Sequence, residues 1–107
     1  MTYRVVLSNR AEEQLESCYQ WWSTHHSLEQ AIRWYNGFLD ALESLRENPE
    51  RCSLATENVL VAHEVRQLLF GTGRKPTHRA LFIIRPDMVF VLSIWHVAQS
   101  PLELDDL

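Results

Sequence analysis

No apolar run in this 107-residue chain approaches the roughly 20 residues needed to cross a bilayer. Its opening stretch, MTYRVVLSNR, lacks the continuous apolar core of a secretory signal. A cytoplasmic protein without a membrane segment is therefore expected. Cysteine is scarce: Cys18 and Cys52 stand far apart with no Cys-x-x-Cys spacing, so both read as reduced thiols. His25 and His26 have no carboxylate or third ligand at metal-site spacing, and neither a metal nor a cofactor is expected. Repeats and low-complexity stretches are absent. An excess of positive charge is absent too, for the formal net charge is −4. A protein that binds nucleic acid over its whole surface is usually basic overall, so a polyanion could be met here only locally.

What is present is ordinary in bulk and uneven in detail. Hydrophobic residues make up 46% and charged residues 22% of the chain, a common globular composition. The length allows a single domain over residues 1–107, with a real core and no room for a second. Residues 1–59 carry nine acidic side chains against five arginines. Residues 60–99 carry Arg66, Arg74, Lys75, Arg79 and Arg85 against only Glu64 and Asp87, and Glu103, Asp105 and Asp106 close the chain. A locally basic segment is thus joined to an acidic one and followed by an acidic tail.

The basic segment reads as three short strands. Val65 to Phe70 alternates Val65, Gln67 and Leu69 against Arg66, Leu68 and Phe70. Gly71-Thr72-Gly73-Arg74-Lys75-Pro76 interrupts it with a turn longer than the tightest hairpin. His78 to Ile84 and Met88 to Trp95 are again strand-like and are separated by Arg85-Pro86-Asp87, so an antiparallel meander is predicted. In such a meander Arg66, Arg79 and His96 can converge.

Before it, Tyr3 to Leu7 alternates as an opening strand of the same sheet, its neighbour open. Ser8 or Asn9 starts a helix, Asn9 with Glu12 having the outline of a capping box. Ala11, Leu15, Cys18, Tyr19 and Trp22 form its buried stripe. Ser23-Thr24-His25-His26 is the expected turn, and Ser27 with Gln30 caps a second helix. There Leu28, Ala31, Ile32, Tyr35, Phe38 or Leu39, Leu42 and Leu45 recur until Asn48-Pro49 ends the pattern. Adjacent Trp21 and Trp22 cannot both face one core. Glu50 to Ala62 reads as a loop, with Val59-Leu60-Val61 a possible early start of the next strand. The expected fold is α+β: an N-terminal strand, an antiparallel helical hairpin packed on one sheet face, then a three-stranded antiparallel meander.

The blocks EVRQLLFG, HRALFIIR and VLSIWHVAQ resemble, in order and spacing, those of the RelE/ParE superfamily of bacterial toxins. With the helical half included, the resemblance covers nearly the whole chain. It implies the toxin component of a type II toxin–antitoxin pair, neutralised by a cognate antitoxin. In the RNA-cleaving branch the ribose 2′-OH attacks the adjacent phosphate of ribosome-bound messenger RNA without a metal. That chemistry needs a base, cations on the phosphoryl oxygens and an acid for the leaving oxygen. Resemblance assigns Arg79 the phosphate clamp and His96 a proton-transfer role, with Arg66 as a second clamp. Arg74 and Lys75 become outer phosphate contacts. His78 otherwise reads as a solvated residue flanking the strand, but adjacent to Arg79 it can approach a phosphate. An arginine in a strand can equally be a structural ion-pair partner, here of Glu64 or the acidic tail.

Departures from the family pattern point the other way. Trp95 stands where the family usually has arginine or lysine, which removes a cation from beside His96. It can stack on a base or belong to the core. After His96 the chain offers only VAQSPLELDDL, without the tyrosine or lysines that some RNA-cleaving members use. The leading expectation is an mRNA endonuclease. The alternatives are a gyrase-binding toxin without nuclease activity and a catalytically degenerate protein that only binds its antitoxin.

Overall fold

The computed structural model describes residues 2–56 and 64–96. Within them one mixed sheet has the order β1-β4-β3-β2, built from β1 (Arg4–Leu7), β2 (Arg66–Phe70), β3 (His78–Ile84) and β4 (Met88–His96). β2, β3 and β4 form the antiparallel meander, and β1 completes the sheet parallel to β4, with Arg4 opposite Met88 and Leu7 opposite Val91. Two helices, α1 (Asn9–His25) and α2 (Leu28–Glu43), cover one face. The architecture is the expected α+β one.

The main core lies between helices and sheet. Ala11 and Leu15 of α1 and Trp34, Phe38 and Leu42 of α2 meet Ala80, Phe82, Val89, Val91 and Ile94. Complete burial of a side chain such as Phe38 stabilises the fold by about 1.5–3 kcal/mol. A smaller cluster, Ala55, Val65, Leu81 and Ile83 with Phe90, Leu92 and Trp95, occupies the opposite face.

Both helix starts are capped by serine hydroxyls. Ser8 Oγ accepts from Ala11 N at 3.0 Å and donates to the Leu92 carbonyl at 2.8 Å, fastening the start of α1 to β4. Asn9 is therefore the first helical residue and not the cap. Ser27 Oγ accepts from Gln30 N at 3.1 Å, as its spacing predicts. The turn between the helices is shorter than expected, because Ser23, Thr24 and His25 stay helical. Ser23 and Thr24 return their hydroxyls to the carbonyls of Tyr19 and Gln20, four residues back, which removes the competition such residues usually offer to a helix.

α2 also departs from its expected stripe. Trp34 is fully buried, whereas Leu28, Ile32 and Leu39 are 59%, 44% and 37% exposed. Two apolar rows run along this helix, Ala31-Trp34-Phe38-Leu42 and Leu28-Ile32-Tyr35-Leu39, and the row with the larger rings takes the core. After Glu43 the chain tightens into a 3-10 turn, Ser44–Arg46, that still brings Leu45 into the core. A second one, Pro49–Arg51, precedes Ser53–Ala55, which pairs with the start of β2 through Ala55 N to Val65 O and Gln67 N to Ser53 O. Val59-Leu60-Val61 lies outside the described residues. Among the described residues no helix is long and apolar enough to cross a membrane.

One irregularity sets the faces of β4. Leu81 lies opposite Ser93 but Phe82 opposite Val91, so Leu92 is an extra residue, a bulge. Val89 and Val91 face the helices before it, Ile94 after it. A strand of unbroken period two would turn Ser93 and Trp95 toward the helices; the bulge turns Ile94 and His96 there instead.

Candidate functional site

The expected convergence of Arg66, Arg79 and His96 does not occur. Directly opposed residues share a face, and on β3 and β4 those pairs are His78 with His96 and Arg79 with Trp95. His96 therefore lies on the helical face with His78, and Arg79 lies on the other face with Trp95. The bulge is the cause: without the extra Leu92, Arg79 would oppose Ile94 and share a face with His96. Arg66 is displaced along the sheet as well. It opposes Phe82, four residues along β3 from His78, which at the rise of a strand is about 13 Å.

Each arginine is engaged where it stands. Arg66 Nη1 donates to the carbonyl of Cys52 at 2.6 Å and of Glu50 at 3.3 Å, and Nη2 meets Glu64 Oε2 at 3.1 Å. It ties the loop before β2 to the sheet, with the ion pair to Glu64 that its sequence neighbourhood allowed. Arg79 is 8% exposed and is not a free cation. Arg74 and Lys75 are exposed in the turn between β2 and β3. That turn is tight at Gly71, where a Cβ would come within 2.5 Å of the Lys75 carbonyl. Trp95 is partly buried against the smaller cluster.

His78 corrects the expectation of a solvated residue: it is 6% exposed. β3 points it at the helices, where its ring meets those of Trp34 at 4.9 Å and His96 at 5.2 Å. Burial, reinforced by His96, pushes its pKa from 6.5 down to about 4, so the imidazole is neutral near pH 7. Its Nδ1 lies 2.8 Å from Thr77 Oγ1, and that hydroxyl lies 3.5 Å from the Phe70 carbonyl. All three groups are satisfied when Nδ1–H donates to Thr77 and the hydroxyl proton turns to Phe70, which leaves the lone pair on Nε2.

The two histidines line a cleft of about 620 Å³, completed by Ser17, Cys18, Trp21, Trp22 and His26 of the α1 end and by Thr77. Sequence reasoning found its two strand histidines and missed the helical wall. The signal available was the Trp21-Trp22 pair: Trp21 is 48% exposed and Trp22 half-buried, as two adjacent helical rings must divide. Trp21 stacks on His25 at 4.7 Å, and Trp22 lies 4.6 Å from His26. Burial pushes the Cys18 thiol above its ordinary value, against thiolate chemistry. Among the described residues the cleft lining contains no Lys, Arg, Asp or Glu. Residues 57–63 and 97–107 contain no Lys or Arg either. Among the described residues no three of His, Cys, Asp and Glu are arranged to hold a metal ion. The cleft can therefore accept an apolar group and hydrogen-bond it, but it holds no fixed cation for a phosphate.

Comparison with known proteins places this geometry. A solved structure titled "Chromosomal ParDE TA system from P. aeruginosa" matches with a TM-score of 0.71 at 17% sequence identity, over 90% of this chain and 97% of that chain. That likeness is one of fold. Among curated proteins nothing matches. The family described as "ParE toxin of type II toxin-antitoxin system, parDE" matches residues 5–101, from the second residue of β1 to beyond the end of β4. The chain belongs to the ParE toxin family of type II toxin–antitoxin systems, and it is the toxin partner of a cognate antitoxin.

Proposed function

We propose that this toxin arrests growth by binding DNA gyrase, without cleaving RNA. The observation that carries the reading is the division of Arg79 and His96 between opposite faces of the sheet. In-line attack by a ribose hydroxyl needs a proton acceptor and a cation on one phosphodiester within hydrogen-bond reach of each. Here no Lys or Arg lines the cleft of the imidazole pair among the described residues, Arg79 is buried on the far face, and Arg66 is held by main-chain carbonyls. Such an arrangement supports recognition of a protein surface better than catalysis on a phosphate. A cytoplasmic site of action follows from that target.

The expected cleavage of ribosome-bound messenger RNA has one observation in its favour. His78 and His96 face each other at 5.2 Å, and a neutral imidazole beside a second one can share acid and base work. It ranks second because a His78 held near pKa 4 is a weak base and no Lys or Arg among the described lining residues neutralises a phosphoryl charge. Purified toxin added to gyrase and relaxed plasmid discriminates between the two. Loss of supercoiling at toxin concentrations close to that of the enzyme is expected; full supercoiling at a large toxin excess would remove gyrase as the target.

A further inference from the structure

The second apolar row of α2 stays open to solvent. Leu28, Ile32 and Leu39 are exposed, and with half-buried Tyr35 they recur every three or four positions, so they form one stripe on the outer side of the helix. Single apolar residues on a surface need no explanation, but a contiguous stripe does. Beside it, α1 and α2 leave a hollow of about 250 Å³ lined by Glu16, Tyr19, Ile32, Tyr35 and Asn36. The rings of Tyr19 and Tyr35 meet edge to face at 5.3 Å in its wall. Glu16 accepts a hydrogen bond from Gln20 Nε2 at 3.2 Å and has no ion-pair partner among the described residues.

Two aromatic rings, an aliphatic wall, a carboxylate and an amide oxygen suit a side chain with an apolar stem and a cationic head. The surroundings have the matching sign. The two helices hold Glu12, Glu13, Glu16, Glu29, Asp40 and Glu43, all exposed, against Arg10 and Arg33. Arg33 is already paired with Glu29 at 3.8 Å, whereas Asp40 has no ion-pair partner among the described residues. A second copy of the chain on this face would bring acidic rims together, and a nucleic acid would meet the same repulsion. The occupant that matches the face is a basic protein surface.

We propose that the outer face of the helical hairpin is where the toxin docks on gyrase, with an arginine of the enzyme seated in the Tyr19–Tyr35 hollow. This rests on gyrase being the target. An enzyme that holds DNA neutralises phosphates with arginine and lysine, so basic surface is what it offers. The arginine stem lies along Ile32, and its planar guanidinium faces the tyrosine rings and donates to Glu16 and Asn36. Leu28 and Leu39, on either side of the hollow along α2, are covered by apolar groups of the enzyme. Burial of the stripe supplies most of the hold, while the acidic rim speeds association.

The test adds purified toxin and its variants to gyrase and relaxed plasmid, and measures the concentration that halves supercoiling beside direct binding to the enzyme. Glu16→Lys, at an exposed position, is expected to raise that concentration at least about tenfold, and Ile32→Ser about fivefold. Glu47→Lys makes the same charge change at an exposed position outside the hairpin and stays within about twofold. Raising salt from about 50 to about 200 mM weakens the wild type more than Glu16→Gln. Circular dichroism establishes that each variant is folded, and the free wild type is expected to have the mass of a monomer. Folded Glu16→Lys that inhibits as well as the wild type overturns the docking face and leaves gyrase as the target. A wild-type dimer that Ile32→Ser dissociates with no change in inhibition overturns it too, and gives the face to a second copy. A wild type that neither binds nor inhibits gyrase removes the target, and this docking face with it.

Discussion

Burial beside Trp34 and His96 makes His78 a reporter of folding. The unfolded chain takes up a proton at this residue near pH 6.5, and the folded chain only near 4. Between those values the unfolded state binds more protons, so stability rises with pH. The contribution is complete above about pH 6.5 and is lost as the pH falls toward 4; after allowance for residual contact with water it is about 2 kcal/mol. Urea unfolding at pH 4.5 and pH 7 should therefore show a larger drop for the wild type than for His78→Gln. Equal drops would mean that other groups carry the acid sensitivity. Arg66 makes a different statement at the same scale. Its guanidinium serves the carbonyls of Cys52 and Glu50, so Arg66→Ala should lower unfolding free energy by about 1–3 kcal/mol. It should alter toxicity only in proportion to the folded protein that remains, measured by immunoblot beside a growth assay. Full stability with abolished toxicity would return Arg66 to the functional surface.

Among the elements, those whose signals are local were legible in the sequence. The Ser27 cap, the glycine-rich turn after Phe70 and the three runs of the meander stand where the residues put them, because each depends on neighbours a few positions away. The parallel partner of β1 was not legible, since strand pairing depends on contacts distant in sequence. Nor was the choice between the two apolar rows of α2, which is made by how Trp34 and Phe38 fit the sheet. The Leu92 bulge was the costly omission. Val-Phe-Val-Leu-Ser-Ile-Trp is apolar on both faces, so no alternation marks where the period slips, and that slip carried His96 away from Arg79. The histidine pair was half visible: both residues were named, but burial of His78 needed the helices in place. Two substitutions test the element-level account. Ser8→Ala removes both a cap and the tie to β4 and should cost about 1–2 kcal/mol, more than Ser27→Ala, whose hydroxyl serves as a cap alone. Thermal unfolding of the two variants side by side gives the comparison, and equal losses would show that the Leu92 bond contributes nothing.

Over the whole molecule, positive charge gathers in the strand-and-turn region while the acids gather in the helices and the tail. The sheet divides that region: it buries Arg79 on one face and presents the imidazole pair on the other to a cleft with no Lys or Arg among its described lining residues. On the proposed reading, a chain with this layout acts through contact with a protein. The most direct measurement maps the 5′ ends of ribosome-bound messenger RNA and DNA breaks together during the first minutes of toxin induction. The account predicts DNA breaks first, with no codon-positioned RNA ends above background, and the same sequence of events for His96→Ala. RNA ends clustered within ribosome-bound codons before any DNA damage, and lost in His96→Ala, would contradict it.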